Sequence, residues 1–354
     1  MKAVVKGKPG PGVEIMEVDK PKIKPFEVLV KVQACAICGT DVDRYRWVGE
    51  YPKSMIKYLP VILGHEFAGE IAEVGEQVKE LKPGDRVAIE PLVSCGRCSH
   101  CLAGRPNHCK NMAILGATIN GGMAEFVAVP ASNCFIIPEN ISYSAATHLQ
   151  TLAMTIHALD FSPIMPGDTV VVQGPGPVGL SALQLAKAVG ASKIFITGLK
   201  KDVKRLEIAK KLGGDPINVE EEDPVQKVKE FTGGEGADVV IEASGSPKAA
   251  AQSFEMVRAR GSIYLIGLVH EPVNVNLEKL VLKEIRIFGI RSRGNFQDNW
   301  RRAINLVAMA KVNLDYLIDH IVPIEKSLEG FELLIEGKAV GVVITPYSSQ
   351  KILS

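Results

Sequence analysis

Apolar and polar residues alternate in short runs over the first 140 positions, with Gly and Pro between them. Val28-Leu29-Val30-Lys31-Val32, Arg86-Val87-Ala88-Ile89 and Glu125-Phe126-Val127-Ala128-Val129 are such runs. Short alternating runs bounded by turn residues predict strands of an antiparallel, barrel-like domain. From Ser142, a suitable N-cap, the pattern turns helical and continues to about Leu159. After Pro166-Gly167-Asp168 the texture changes. Thr169–Gln173 is rich in β-branched residues and unbroken, as a strand buried on both faces requires. Helices are predicted over 177–189 and 203–212, and strands over 193–197, 238–242 and 262–266. This βαβ rhythm predicts a parallel, doubly wound sheet. Beyond Gly289 the rhythm stops, and the last 65 residues hold one strong helix around 300–310 before a return to the first domain.

A chain of 354 residues corresponds to about two domains. The 46% of hydrophobic residues suffice for two cores. A net charge of +1 provides no global field to recruit nucleic acid or a membrane surface. The acidic run 220–223 reads as a solvated loop. The start of the sequence has no apolar core of a secretory signal, and no run approaches the ~18 apolar residues of a membrane span. The seven cysteines fit a reducing compartment, so a cytoplasmic location is expected.

Four of those cysteines, Cys95, Cys98, Cys101 and Cys109, have the spacing C-x2-C-x2-C-x7-C. Four thiolates this close can close a tetrahedral shell around one zinc ion, leaving no open position, so a zinc here is structural. Disulfides or an iron–sulfur centre would use the same residues, but nothing else in the chain suggests export or iron chemistry.

Gly174-Pro175-Gly176-Pro177-Val178-Gly179 is G-x-G-x-x-G between a buried strand and a helix, the context that dinucleotide binding demands. Gly174 makes the tight turn, Gly176 lets the backbone approach a pyrophosphate, and Gly179 lets helix and strand pack closely. The next strand would end in Asp or Glu to hold the ribose of NAD. Here that position is Gly198, with Lys200, Lys201 and Arg205 behind it, so NADP(H) is expected over NAD(H).

Cys38-Gly39-Thr40-Asp41 opens a short helical stretch, and Gly64-His65-Glu66 precedes a strand-like run. Cys, His and carboxylate all ligate zinc, and three protein ligands leave a fourth place for water or substrate. A single Cys and a single His are also ordinary core residues, so the pattern alone leaves both readings open.

These motifs, in this order, resemble the zinc-containing medium-chain dehydrogenases. Lys82-Pro83-Gly84-Asp85-Arg86-Val87 and Gly121-Gly122-Met123-Ala124-Glu125-Phe126 extend the resemblance over nearly the whole chain. It is greatest to the polyol (sorbitol-type) and threonine dehydrogenases. It implies a GroES-like, mostly antiparallel β-barrel domain at 1–152 with a structural zinc lobe at 91–112. A Rossmann NAD(P)-binding domain follows at 153–290, and 291–354 returns to the first domain. It implies two Zn2+ per subunit, with the catalytic ion on Cys38, His65 and Glu66. Thr40 relays the proton of the substrate hydroxyl, and Asp41 orients the histidine. Val178, Arg205, Ile266, Gly267, Leu268, Ile290, Arg291 and Ser292 match cofactor contacts, the apolar ones being equally suited to core packing. The implied reaction is oxidation of a secondary alcohol, a polyol or sugar derivative, to a ketone by a homodimer or homotetramer. L-Threonine 3-dehydrogenase or general secondary-alcohol dehydrogenase activity is the alternative within enzymes. A non-catalytic nucleotide sensor is the alternative of another class.

Several positions depart from the family pattern. Asp43 stands where many members have the His that ends the proton relay. Arg44 stands where polyol dehydrogenases often have a substrate-contacting Tyr. A guanidinium there suits an acidic or phosphorylated sugar, although a surface arginine fits the pattern as well. Gln150 replaces the Cys or Glu that often faces the zinc, and is expected to hydrogen-bond a substrate hydroxyl. Gly341 replaces a Lys or Arg. His100, His108, His148, His157, His270 and His320 read as exposed or locally satisfied. Cys35 and Cys134 read as small buried hydrophobes.

Overall fold

A computed structural model describes residues 1–347. The chain divides into two compact units. The first comprises residues 1–150, 295–308 and 314 onward, and the second residues 151–294 and 309–313. No helix among the described residues is long and apolar enough to cross a membrane.

The first unit is built on the strand Glu27–Ala36, buried along most of its length. It pairs antiparallel with Glu66–Val74, Phe126–Pro130 and Val342–Thr345. Arg86–Ile89 and Cys134–Ile136 extend the same sheet beyond Glu66–Val74, and His320–Pro323 extends it beyond Val342–Thr345. A smaller sheet joins Glu14–Glu17, Lys2–Lys6 and Val61–Ile62. Val4, Val28, Val30 and Phe67 from these strands meet Leu63, Met123 and Phe331 from the adjoining segments in one apolar core. The helix Phe296–Ala308 is fixed to this unit by Trp300. Its ring stacks on Phe135 at 4.8 Å, and its Nε1 donates to Glu90 Oε2 at 2.8 Å. Arg86 donates to the carbonyls of Pro138 and Ile141, so the Lys82–Val87 motif is a structural corner.

The second unit is a six-stranded sheet. Its order is Asp215–Asn218, Lys193–Gly198, Thr169–Gln173, Ala237–Glu242, Val257–Leu265, Arg286–Gly289, and every neighbouring pair is parallel. This is the dinucleotide-binding order, with the first strand central and fully buried. Helices Pro177–Ala188, Val203–Lys211, Pro224–Phe231 and Pro247–Met256 connect the strands.

The helix expected from Ser142 to Leu159 is two helices. Ser142 does cap the first, accepting from the Ala145 N–H, but that helix spans only Tyr143–Thr147. A second runs over Leu149–Leu159. His148, at φ −90° and ψ 0°, breaks the ladder between them. The strand Asp215–Asn218 escapes sequence reading because it is short and holds Pro216, which suits a sheet edge.

Candidate active site

Strand Glu27–Ala36 delivers Cys38, which takes an extended conformation and opens the helix Gly39–Arg46. Strand Glu66–Val74 begins at the turn that carries His65 and Glu66. That turn depends on Gly64, at φ +91°. A Cβ there would lie 2.6 Å from both Cys35 Sγ and Met123 Cγ. The Gly121–Met123 segment holds the turn in place: Gly122 N–H donates to the Gly64 carbonyl and Met123 N–H to that of Leu63, both at 2.9 Å.

Cys38, His65 and Glu66 come together, with one potential ligand atom of each within 4.8 Å of the others. His65 and Glu66 are buried. Thr40 Oγ1 lies 3.5 Å from His65 Nε2. Asp41 is wholly buried and serves three neighbours. Its Oδ2 accepts from Cys38 N–H at 3.3 Å, and its Oδ1 accepts from Arg44 Nη1 at 2.8 Å. His65 Nδ1 stands 3.3 Å from Oδ2, an ion-pair distance. Burial alone would depress the His65 pKa, but Asp41 and Cys38 outweigh it and raise it well above the imidazole range. Burial likewise pushes Asp41 up, yet His65, Arg44 and the Cys38 N–H hold it below the usual carboxylate value. The pocket is therefore one of negative potential lined by S, N and O donors, which fits a divalent cation.

Arg44 corrects the surface reading of that position. It is 4% exposed and forms a buried pair with Asp41, one helical turn away on the same helix face. Asp43 is half-buried on the same helix. Gln150 is buried at the start of the helix Leu149–Leu159.

His148 is the residue that sequence reasoning missed. It is neither exposed nor satisfied by its neighbours: it is 2% exposed, and neither ring nitrogen has a hydrogen-bond partner among the described residues. Its Nδ1 lies 3.8 Å from Glu66 Oε2. Burial lowers its pKa against the opposing pull of Glu66. Of the other cysteines, Cys35 is buried and Cys134 half-buried, and burial raises both thiol pKa values.

The four cysteines of the lobe also converge, all as free thiols. A two-stranded ribbon, Leu92–Val93 with Ala113–Ile114, closes the base of the lobe. Cys98 opens the short helix Ser99–Leu102, and the turn Pro106–His108 returns the chain to Cys109. Cys98 Sγ is 3.5 Å from Cys101 Sγ and 3.9 Å from Cys109 Sγ. A regular tetrahedron with Zn–S of about 2.3 Å has edges of about 3.8 Å, so these separations suit one zinc ion. Backbone N–H groups of Cys101 and Lys110 hold the Cys98 thiol down at about 6, preparing a thiolate.

In the second unit the three glycines of the G-x-G-x-x-G turn have different reasons. Gly174 has φ +96°, and a Cβ there would press on Ser244 at 2.9 Å. A Cβ on Gly179 would lie 1.8 Å from the Gly174 carbonyl oxygen. At Gly176 a Cβ would meet no protein atom within 4 Å. The fold itself requires Gly174 and Gly179, whereas Gly176 leaves a bare backbone at the N-terminus of the helix that Pro177 and Val178 begin. That bare cradle fits a pyrophosphate.

Gly198 ends its strand against Pro175 and Leu206, whose atoms would lie 2.9–3.0 Å from a Cβ. A side chain at this position, where the ribose carboxylate is absent, would have to displace Pro175 and Leu206. Lys200 and Lys201 are exposed, and Arg205 is half-buried, 3.5 Å from Asp202. Glu220 Oε2 accepts the Lys200 N–H. Ile266 and Ile290 are buried; Leu268 and Arg291 are exposed. Ser292 holds a left-handed φ of +56°, the kind of strain that gathers at ligand sites. Glu242, another residue not singled out from sequence, braces this region. Its Oε1 accepts from the N–H groups of Ser244 and Gly245 at 2.8 and 2.9 Å.

Two family descriptions match the chain: the alcohol dehydrogenase GroES-like domain over residues 24–139, and the zinc-binding dehydrogenase over residues 177–309. The L-threonine 3-dehydrogenase of Bacillus licheniformis is 38% identical over 98% of this chain and 99% of that protein. The sorbitol dehydrogenase of Halalkalibacterium halodurans is also 38% identical, over 98% and 99%. A crystal structure of a Sinorhizobium meliloti zinc-binding dehydrogenase bound to NADP superposes with a TM-score of 0.88 at 30% identity, covering 98% of this chain and 99% of that one. With both family descriptions matched and relatives 38% identical along 98% of its length, the chain belongs to the zinc-containing medium-chain dehydrogenase family.

Proposed function

We propose that this protein is a zinc-dependent, NAD(P)-linked dehydrogenase that reversibly oxidises a secondary alcohol to a ketone. The observation that carries this reading is the buried convergence of Cys38, His65 and Glu66, backed by Asp41. Zinc bound there supplies a Lewis acid that makes a substrate hydroxyl more acidic. Cys38 as thiolate and Glu66 as carboxylate balance the charge of a divalent ion, and Asp41 fixes the His65 ring. Thr40 Oγ1, beside His65 Nε2, is placed to pass the hydroxyl proton outward, with Asp43 or, since a carboxylate is a weak base at pH 7, solvent as its acceptor. Gln150 contributes an amide that hydrogen-bonds a substrate hydroxyl. The Gly174–Gly179 turn would hold the nicotinamide cofactor, which would supply the hydride acceptor for the alcohol carbon.

The same reading places a second, structural zinc on Cys95, Cys98, Cys101 and Cys109, giving two per subunit. NADP(H) is favoured, because Gly198 offers no carboxylate to repel a 2′-phosphate while Lys200, Lys201 and Arg205 offer charges to attract it. Ile266, Gly267, Leu268, Ile290, Arg291 and Ser292 complete the cofactor contacts, and the subunit assembles as a homodimer or homotetramer by family analogy.

A polyol or sugar derivative is the substrate we favour. Its hydroxyls need only neutral hydrogen-bond partners such as Gln150, whereas Arg44, the candidate carboxylate clamp, is buried on Asp41. L-Threonine is the second reading, favoured by the threonine dehydrogenases among the relatives. Zinc per subunit together with initial rates on polyols, sugar derivatives, simple secondary alcohols and L-threonine, each with NADP+ and NAD+, tests the proposal. Two zincs and turnover of a polyol with NADP+ are expected. L-Threonine as the fastest substrate would replace the first substrate reading by the second. One zinc and no turnover of any alcohol would overturn the enzyme reading and favour a nucleotide sensor.

A further inference from the structure

His148 sits where the helical ladder breaks, its own N–H bonded to the Ala145 carbonyl at 3.0 Å. The imidazole lies inward, with 2% of the residue exposed. Leaving a buried polar group without a partner costs about 1–3 kcal/mol, so an imidazole with two such nitrogens calls for an explanation. Burial of a histidine in a helix-breaking conformation gains the fold nothing that a leucine would not supply. The charged group beside the ring is the Glu66 carboxylate, with Oε2 3.8 Å from Nδ1. The Nε2 edge faces the chain at Gly341, where a Cβ would lie 3.9 Å from Nε2 and 2.1 Å from the Leu317 carbonyl oxygen. The backbone there has no room for a side chain, and it closes the far edge of the ring.

We propose that His148 is a positioning residue for Glu66: Nδ1–H donates to Oε2 once Oε1 has turned toward Cys38 and His65. The inference rests on the reading of Cys38, His65 and Glu66 as a metal site. The separation exceeds an ordinary N–H···O bond by about 0.8 Å, which a rotation of the Glu66 side chain closes. A carboxylate ligand held through its second oxygen keeps its orientation, and such outer partners typically change metal affinity by about 10–100-fold. The arrangement fixes the tautomer as Nδ1–H, with the lone pair on Nε2. It needs no charge on the ring.

The test compares the wild-type protein with His148→Leu, His148→Asn and His148→Gln. Zinc affinity is measured by competition with a chromophoric chelator, and the visible spectrum is recorded with cobalt(II) in place of zinc. An Asn side chain places its amide nitrogen near the position of Nδ1, whereas Gln places it one atom further out. Wild type should bind two zincs. His148→Leu should weaken one site by about 10–100-fold and shift its cobalt bands. The other zinc, removable by Cys101→Ser, should remain and report a folded lobe. His148→Asn should recover most of the affinity and His148→Gln less. If His148→Leu does not fold, the order of Asn over Gln still decides the matter. Unchanged affinity and spectrum in His148→Leu, or equal losses in Asn and Gln, would overturn the proposal while leaving the metal reading intact. Wild type binding only the zinc that Cys101→Ser removes would overturn both.

Discussion

The pair Asp41–Arg44 supplies the most demanding quantitative test. Both side chains are buried, and the Arg44 Nη1 to Asp41 Oδ1 bond is 2.8 Å. Asp41→Asn keeps the shape of the side chain and removes its charge. The guanidinium is then left buried without its counter-charge, a situation that costs about 3–5 kcal/mol. Arg44→Met should cost less, about 1.5–3 kcal/mol, because the Cys38 N–H and His65 still support the carboxylate. The double variant leaves no uncompensated guanidinium, so it should be more stable than Asp41→Asn alone, with a coupling of about 1–3 kcal/mol. Both tryptophans of the chain, Trp47 and Trp300, belong to the first unit, so tryptophan emission reports the unfolding of that unit. With a chelator present to remove metal effects, Asp41→Asn should lower the midpoint by roughly 6–20 °C for a unit of this size. Additive single effects, or a loss below about 1 kcal/mol for Asp41→Asn, would refute the account of Asp41 as the charge that Arg44 requires.

Gly176→Val should keep stability within about 0.5 kcal/mol yet weaken cofactor binding at least about tenfold, whereas Gly179→Val should fail to fold. Calorimetric melts and cofactor titration separate the two. Replacing Lys200, Lys201 and Arg205 together by Ala should lower the ratio of kcat/KM for NADP+ over NAD+ by about tenfold or more, and an unchanged ratio would remove their role. Tyr264 is fully buried, its hydroxyl donating to the Ser162 carbonyl, and burial pushes its pKa up to about 12. Between pH 10 and 12 the unfolded chain therefore holds fewer protons at this tyrosine than the folded one, so stability falls as pH rises. Tyr264→Phe should flatten that decline in denaturant midpoints measured across the same window.

Much of this architecture is legible because its signals are local. The glycine turn follows a buried strand and opens a helix, and the cysteine spacing states its own geometry. Arg44 was legible in principle, since Asp41 and Arg44 are three residues apart on one helix and such pairs meet. Glu242 left a fainter mark, a carboxylate ending the apolar run Val239-Val240-Ile241. His148 left none. Its partner Glu66 is distant in sequence, and the helical periodicity ran through position 148 without signalling a break. Proximity of that kind is set by how a sheet and a helix pair pack, which no window of residues encodes.

The central strand of the first unit has a consequence for synthesis. Its end next to Cys38 is completed by the last described strand: Ala36 pairs with Val343, Cys35 with Ile344, and Ile37 N–H donates to the Val342 carbonyl. A nascent chain emerging from the ribosome has finished its second unit before these neighbours exist. Until they arrive, the edge beside Cys38 is open, displaying unpaired backbone groups of the kind that invite pairing with another chain. The strand that leads to Cys38 is thus sealed by a segment made about 300 residues later, and premature termination shortly before Val342 would release a chain with a completed nucleotide unit, an unsealed edge and a thiol beside it.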